Sequence, residues 1–216
     1  MKKSFLIIIA LLCISSSVFA KMTNDIGFGV SSPFKVVSVD GEKIKGIAFQ
    51  LNFVDCLEKS NGVVFLADCN IGPFFYYGDF YDTSLADSDS KPLFFMDINL
   101  AGGVGYNFLH DDLKQNLILS ALVGLDILTN KSNVKSYEAE CDVICFELGA
   151  NCIYSVKVDG KFSIYGGCAC FAGIGWNHTK VTEKSTLAVD EKIVHDDYGK
   201  SYMFTIQPKI GILYRF

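Results

Sequence analysis

Apolar and polar residues alternate along nearly every long segment of this chain. Between residues 94 and 108 the even positions are mostly aromatic or aliphatic, whereas aspartate, asparagine and glycine occupy several odd positions. A period of two is typical of β-strands. The same alternation predicts eight strands in total, at residues 25–34, 44–57, 63–78, 93–109, 116–129, 143–157, 161–178 and 202–216.

The connections between these strands alternate in length. Short polar turns follow the second, fourth and sixth strands, and they include the turn signals Asn61-Gly62 and Asp159-Gly160. The other connections are longer and span residues 35–43, 79–92, 130–142 and 179–201. Short turns at one end and long loops at the other are typical of outer-membrane barrels. The sequence therefore predicts an all-β fold, an eight-stranded antiparallel up-and-down transmembrane β-barrel.

The composition of the two faces predicts which one meets lipid. The more apolar face carries aromatic residues near both strand ends and aliphatic residues between them, as two membrane–water interfaces select. The opposite face is rich in glycine and contains most of the acidic and amide side chains of the strands. We therefore expect the apolar face to point outward; a soluble barrel would bury it.

The N-terminus has the features of an export signal. Lys2 and Lys3 precede an apolar stretch that ends at Ala20, which predicts a signal peptide over residues 1–20 and a barrel over residues 21–216. A lipoprotein signal with Cys13 as the lipidated residue is the alternative. The net charge is −5 and no run of lysine or arginine occurs, so a nucleic-acid partner is not expected.

The last strand ends on an aromatic residue, with apolar residues at every second position before it. Its final members are Ile210, Ile212, Tyr214 and Phe216. This resembles the C-terminal signal of bacterial outer-membrane proteins, which implies recognition by the barrel-assembly machinery. In architecture the chain is also similar to small eight-stranded barrels of the OmpW and OmpA transmembrane classes and to an uncharacterised treponemal outer-membrane family. The resemblance implies residence in the outer membrane, in contact with its lipid, as a monomer.

Two groups of inward-facing residues are candidate sites. An interior polar network would combine four carboxylates with a single lysine, namely Asp68, Asp97, Asp126, Glu147 and Lys209. Near the long loops the inward positions become apolar and would form a mouth from Phe74, Tyr76, Phe95, Leu128, Val143 and Met203. This mouth is either a binding cup for a small hydrophobic molecule, as the OmpW resemblance implies, or simple packing.

Other reactive residues give weaker signals. Eight cysteines occur, and the seven that remain without residues 1–20 cannot form a closed set of disulfides, although Cys141 and Cys145 are a possible pair. No spacing indicates zinc or calcium, and we expect no metal and no cofactor. His178 and His195 flank the last long loop, with Ser201 nearby, and some eight-stranded barrels that modify lipid A use a histidine and a serine. No serine lies two residues from either histidine here, and solvated loop histidines are the alternative.

Three functions follow, in order of preference. The first is a non-enzymatic surface protein whose loops 79–92 and 179–201 contact host or matrix ligands. The second is a narrow conduit or binding cup for small hydrophobic molecules, and the third is the lipid A-modifying enzyme.

Overall fold

The computed structural model describes residues 22–39, 41–77, 95–112, 114–134, 137–183 and 192–216. Residues 1–20, the expected signal peptide, lie outside these ranges. The described chain forms ten β-segments: β1 (Thr23–Ser31), β2 (Phe34–Val39), β3 (Glu42–Ala48), β4 (Gln50–Glu58), β5 (Val63–Tyr77), β6 (Phe95–Asn107), β7 (Gln115–Val134), β8 (Tyr137–Asp159), β9 (Phe162–Glu183) and β10 (Lys192–Arg215).

The ten segments make eight barrel strands that close on themselves. β1 continues into β2 and β3 into β4 without a change of register, so each pair forms one strand. Each later strand pairs antiparallel with the one before it, and β10 returns to pair with β1 and β2. The expected eight-stranded antiparallel barrel is confirmed.

The strands differ in height, and this corrects the expected loops. β7 to β10 contain 20 to 24 residues each, whereas β5 and β6 contain 15 and 13. The expected loops at 35–43 and 130–142 are wrong, because strands continue to Val39 and Val134 and resume at Glu42 and Tyr137. Much of the expected loop 179–201 is also strand, whereas residues 79–92 lie outside the described ranges.

The extra strand length has a physical reason. Between residues 130 and 142 polar and charged residues outnumber apolar ones, so the sequence shows no apolar face there, although Asn130 and Cys141 are buried. The backbone ladder continues all the same, since its hydrogen bonds do not depend on side-chain polarity. The first hairpin can be tight because Gly41 has a φ of 89°, which glycine adopts without strain.

The apolar face points outward, as expected. On β10 the side chains of Tyr202, Phe204, Ile206, Ile210 and Ile212 are exposed and alternate with buried ones. Phe216 is also exposed, and Tyr214 is half-buried. Trp176 and Ile174 continue the exposed face on β9. The described residues contain no helix of the length and hydrophobicity needed to cross a membrane.

Candidate functional site

The barrel interior is filled in three layers. Near the short turns a lower cluster packs twelve buried residues, namely Val54, Cys56, Val64, Leu66, Ala101, Ile118, Leu122, Ile153, Tyr165, Ala169, Phe171 and Leu213. Near the opposite end an upper cluster packs Val37, Val39, Ile44, Ala48, Phe74, Phe95, Leu128, Cys141, Val143, Cys145 and Met203. Between the two clusters lies a polar belt, which contains the acids and lysines discussed below.

Tyr165 connects the lower cluster to the polar belt. Its ring lies against Gly29 and Gly211, where a Cβ would come within 2.7 and 2.6 Å of its atoms. Its hydroxyl donates to the side-chain oxygen of Asn52 in the belt. The interior glycines on these strands therefore make room for an aromatic ring as well as for polar groups. Tyr165 was not identified from the sequence, although it lies on the inward parity of β9.

One half of the polar belt is centred on Asp68. Lys209 forms an ion pair with Asp68, and both side chains are fully enclosed. Asn52 and Asn70 donate to Oδ1 of the same carboxylate at 2.6 and 2.8 Å. Ser31 donates to Asn70 at 3.2 Å and continues the network. Asp68 therefore has partners for both of its oxygens.

The other half contains a lysine that the sequence pattern placed in a loop. Lys35 on β2 is 1% exposed and forms ion pairs with Asp97, at 2.8 Å, and with Asp126. Asn99 donates to Asp126 at 3.2 Å and to Glu147 at 2.8 Å. The structure thus brings all five expected network residues into the interior and adds a second lysine. Extending the alternation of β1 past Pro33 would have placed Lys35 inside.

The residues of the expected mouth fill it themselves. Phe74, Phe95, Leu128, Val143 and Met203 are each at most 3% exposed and belong to the upper cluster. Tyr76 is half-buried against that cluster, and its ring meets Phe95 at 5.7 Å between centroids. These side chains form a packed apolar layer that covers the polar belt.

Beginning at the level of the upper cluster, to which Cys141 belongs, β7 to β10 form a projecting sheet, which we define as residues 129–134, 137–142, 176–183 and 192–200. On its outer surface His178 stacks on Tyr198 at 4.3 Å between ring centroids and lies 2.9 Å from Asp196. Lys131 on β7 forms ion pairs with Glu138 and Glu140 on β8, and these two glutamates raise the pKa of Lys131. Positive and negative side chains therefore lie next to each other on the neighbouring strands β7 and β8.

One edge of the projecting sheet has no neighbouring strand among the described residues. β10 pairs with β2 only from Ser201 to Ile206, so Lys192–Lys200 extends beyond the last paired residue, Val39. In that stretch the N–H of Tyr198 donates to the side chain of Asp197 at 2.9 Å. Tyr198 and Pro208 have the same parity on β10, and the carbonyl of Pro208 accepts from Ser32 on β10's other side from β9. The N–H of Tyr198 therefore also points away from β9, and Asp197 occupies it. Asp197 thus protects this edge, as charged residues do on exposed strands.

The remaining reactive residues are separated from one another. Ser201 lies inside the barrel and donates to Asn177 at 3.0 Å, whereas His178 lies on the outer surface. The side chain of His195 lies outside the described part. None of the seven described cysteines forms a disulfide, and this includes the possible pair Cys141 and Cys145. Within the described ranges, no cluster of three or more histidine, cysteine, aspartate or glutamate side chains is arranged to hold a metal ion.

Comparisons with known proteins identify the fold. No family model matches the chain, and no curated protein matches it in sequence. Among solved structures, a major outer-membrane protein of Thermus thermophilus has a TM-score of 0.55 at 11% identity, over 88% of this chain and 99% of that one. The outer-membrane protein AlkL has 0.51 at 12%, over 91% and 90%. Neisserial surface protein A (NspA) has 0.50 at 13%, over 89% and 97%.

This chain has the fold of a small outer-membrane β-barrel protein. At these identities the likeness establishes the architecture and nothing about ligands. The outward aliphatic and aromatic side chains supply the lipid-facing surface that the fold requires. Fold and surface together agree with the bacterial outer membrane as the location, as expected from the sequence.

Proposed function

We propose that this protein is a non-enzymatic, monomeric surface protein of the outer membrane that binds other proteins through its projecting sheet. The observation that carries the proposal is the extension of β7 to β10 beyond the apolar band. Four strands that continue past the membrane give a rigid platform, whereas the interior is packed in three layers. This replaces the expected loop 179–201 by a mostly strand-built surface.

The open edge of β10 is the part of the platform best suited to a protein ligand. The backbone N–H and C=O groups of Asp196, Tyr198 and Lys200 point away from β9, because they alternate with the residues whose groups bond to β9. An extended segment of another chain can therefore pair with them and add a strand to the sheet. The charged and aromatic side chains of Asp196, Tyr198 and Lys200 are exposed beside this edge. Ligand strands would have to displace the carboxylate of Asp197 from the Tyr198 N–H.

Two substitutions at Tyr198 test this mode of binding. Tyr198→Ala removes the ring, and Tyr198→Pro also removes the N–H that faces the edge. Because that N–H is not shared with β9, proline is tolerated there. We expect Tyr198→Pro to bind immobilised fibronectin, laminin or collagen at least about fivefold more weakly than Tyr198→Ala, the loss expected of a backbone hydrogen bond.

The control is Asp197→Ala, which exposes the same donor without changing the backbone. It should increase binding to the same matrix proteins or increase self-association. If all three variants bind like the unaltered protein, the edge is not the binding surface. Heat-modifiable gel mobility of each variant shows that the barrel has folded.

Biogenesis is part of the same proposal. The outward row of β10 that ends in Ile210, Ile212, Tyr214 and Phe216 would be read by the barrel-assembly machinery. Phe216→Asp is expected to lower the amount of folded protein in the outer membrane, while Lys114→Asp, an exposed change in a short turn at the same end of the barrel, is not. If the two variants are folded in the outer membrane in equal amounts, the assembly machinery does not recognise Phe216.

The absence of enzymatic activity is supported by the positions of the candidate groups. Ser201 is enclosed in the barrel and His178 is outside it, so the two cannot act on one lipid headgroup. A change in lipid A mass that depends on His178 would overturn this part of the proposal. The conduit function is opposed by the packed upper cluster, and single-channel steps of the unaltered protein in planar bilayers would restore it.

A further inference from the structure

A groove of about 900 Å³ lies in the outer wall of the barrel, where β1, β4, β5 and β10 are neighbours. Its sides are exposed aliphatic side chains of the lipid-facing surface, namely Val30, Leu51, Ile71, Met96 and Ile210. It is therefore continuous with the surface that contacts lipid acyl chains. A hydrocarbon chain is the partner that such walls accept.

Two prolines interrupt the hydrogen-bond ladder at this groove. Ser32 donates its N–H to the carbonyl of Pro208 at 3.1 Å, and Phe49 donates to the carbonyl of Pro73 at 3.0 Å. In an antiparallel pair of this type the opposite residue returns a second bond, but proline has no N–H. The carbonyls of Ser32 and Phe49 therefore lack a ladder donor, and both residues line the groove.

Ser32 adds a hydroxyl to the same place. It occupies an outward position between the exposed residues Val30 and Phe34. No described residue forms a hydrogen bond with its side chain. Unpaired polar groups are costly in hydrocarbon, which offers neither donors nor acceptors. The groove thus combines apolar walls with the free carbonyl and the free hydroxyl of Ser32, whereas the Phe49 oxygen is turned toward Gly72 on the inner face of the sheet.

The geometry points to a binding site for a lipid acyl chain that carries a hydroxyl group. The hydrocarbon part of the chain lies along Leu51, Ile71 and Ile210, and its hydroxyl donates to the carbonyl of Ser32. The same hydroxyl oxygen can accept a hydrogen bond from the Ser32 side chain. A plain acyl chain fills the groove equally well but leaves that carbonyl unpaired.

The opposite wall supplies a matched control. There β8 and β9 pair without interruption from Leu148 to Cys152, and no proline occurs in either strand. Leu148 is exposed on the same lipid-facing surface as Ile71. An added tryptophan at Leu148 therefore changes lipid contact without touching the groove.

The test compares retention of hydroxystearic and stearic acid. Mature protein is refolded into phosphatidylcholine vesicles that contain both fatty acids in equal trace amounts, then extracted in mild detergent and purified. Mass spectrometry measures the retained ratio. We expect the unaltered protein to retain the hydroxylated chain about fivefold over the plain one, the ratio that one hydrogen bond supports.

Three variants decide between the outcomes. Ile71→Trp, which fills the groove, should abolish retention of both chains, whereas Leu148→Trp should leave it unchanged. Ser32→Ala removes the hydroxyl without adding bulk to the groove and should bring the ratio closer to one. Equal retention of the two fatty acids by the unaltered protein would overturn the hydroxyl preference. Equal behaviour of Ile71→Trp and Leu148→Trp would overturn the site itself.

Discussion

The two halves of the polar belt satisfy their charges differently. Around Asp68 one lysine meets one carboxylate, and two amide groups complete the hydrogen bonds. Around Lys35 one lysine meets Asp97 and Asp126, and Glu147 lies close by through Asn99. One oxygen each of Asp97, Asp126 and Glu147 lacks a partner in the described part of the chain.

This difference predicts which of the two buried lysines, Lys35 or Lys209, contributes more to the stability of the barrel. A buried carboxylate with amide donors keeps part of its stabilisation when its lysine is lost. Among the described residues, the three carboxylates around Lys35 have a single amide donor, Asn99, to replace it. Lys35 should therefore contribute more to stability than Lys209, although both are fully buried ion-pair partners.

Lys35→Met is expected to have the largest effect. It removes the only described lysine next to three enclosed carboxylates, and loss of one partner of a buried pair costs about 3–5 kcal/mol. Urea unfolding of the protein in lipid vesicles measures the change. Lys45→Met, which alters an exposed lysine on β3, is the control and should leave the unfolding midpoint in place.

Lys209→Met should cost less, about 1–3 kcal/mol, because Asn52 and Asn70 still donate to Asp68. The same unfolding measurement applies. If Lys209→Met destabilises the barrel as much as Lys35→Met does, amide donors do not compensate and the comparison fails.

Glu147→Gln sharpens the comparison from the acidic side. It removes one of the carboxylates that crowd Lys35 and retains an oxygen to accept from Asn99. We expect stability to be unchanged or raised by about 1 kcal/mol, and the variant should recover part of the loss in Lys35→Met. Asp68→Asn in the other half should instead destabilise, because Lys209 would lose its only ion-pair partner among the described residues. Additive effects in the Lys35→Met Glu147→Gln double variant would show that the two groups are not coupled.

Tyr165→Phe should cost about 1 kcal/mol, the smallest of the expected losses, since it removes one hydrogen bond to Asn52 and keeps the ring against its glycines. The change should be equal in backgrounds with and without Lys35, because Tyr165 contacts only the Asp68 half. A strong dependence on the Lys35 background would contradict the division of the belt into two halves.

Most of the architecture was predictable because alternation is strong wherever one face meets lipid. The eight strands, their antiparallel order and the outward direction of Ile212 and Trp176 follow from that period. Lys35 was missed because Pro33 on one side and the turn signal Asp40-Gly41 on the other suggested a loop over residues 35–43. The projecting sheet was missed for a related reason: its residues are mostly polar on both faces, so the alternation of apolar and polar residues is lost there.

By itself, the sequence determined the barrel, its orientation and the enclosed position of the carboxylates, because a side-chain period of two assigns each strand residue to one of two environments. The tertiary structure decided how those enclosed groups are matched. Register across the closed ring set Lys35 beside Asp97 and Asp126, packed the mouth shut, and aligned Ser32 with Pro208. Such pairings depend on which residues face each other across strands, and alternation along one strand carries no information about them.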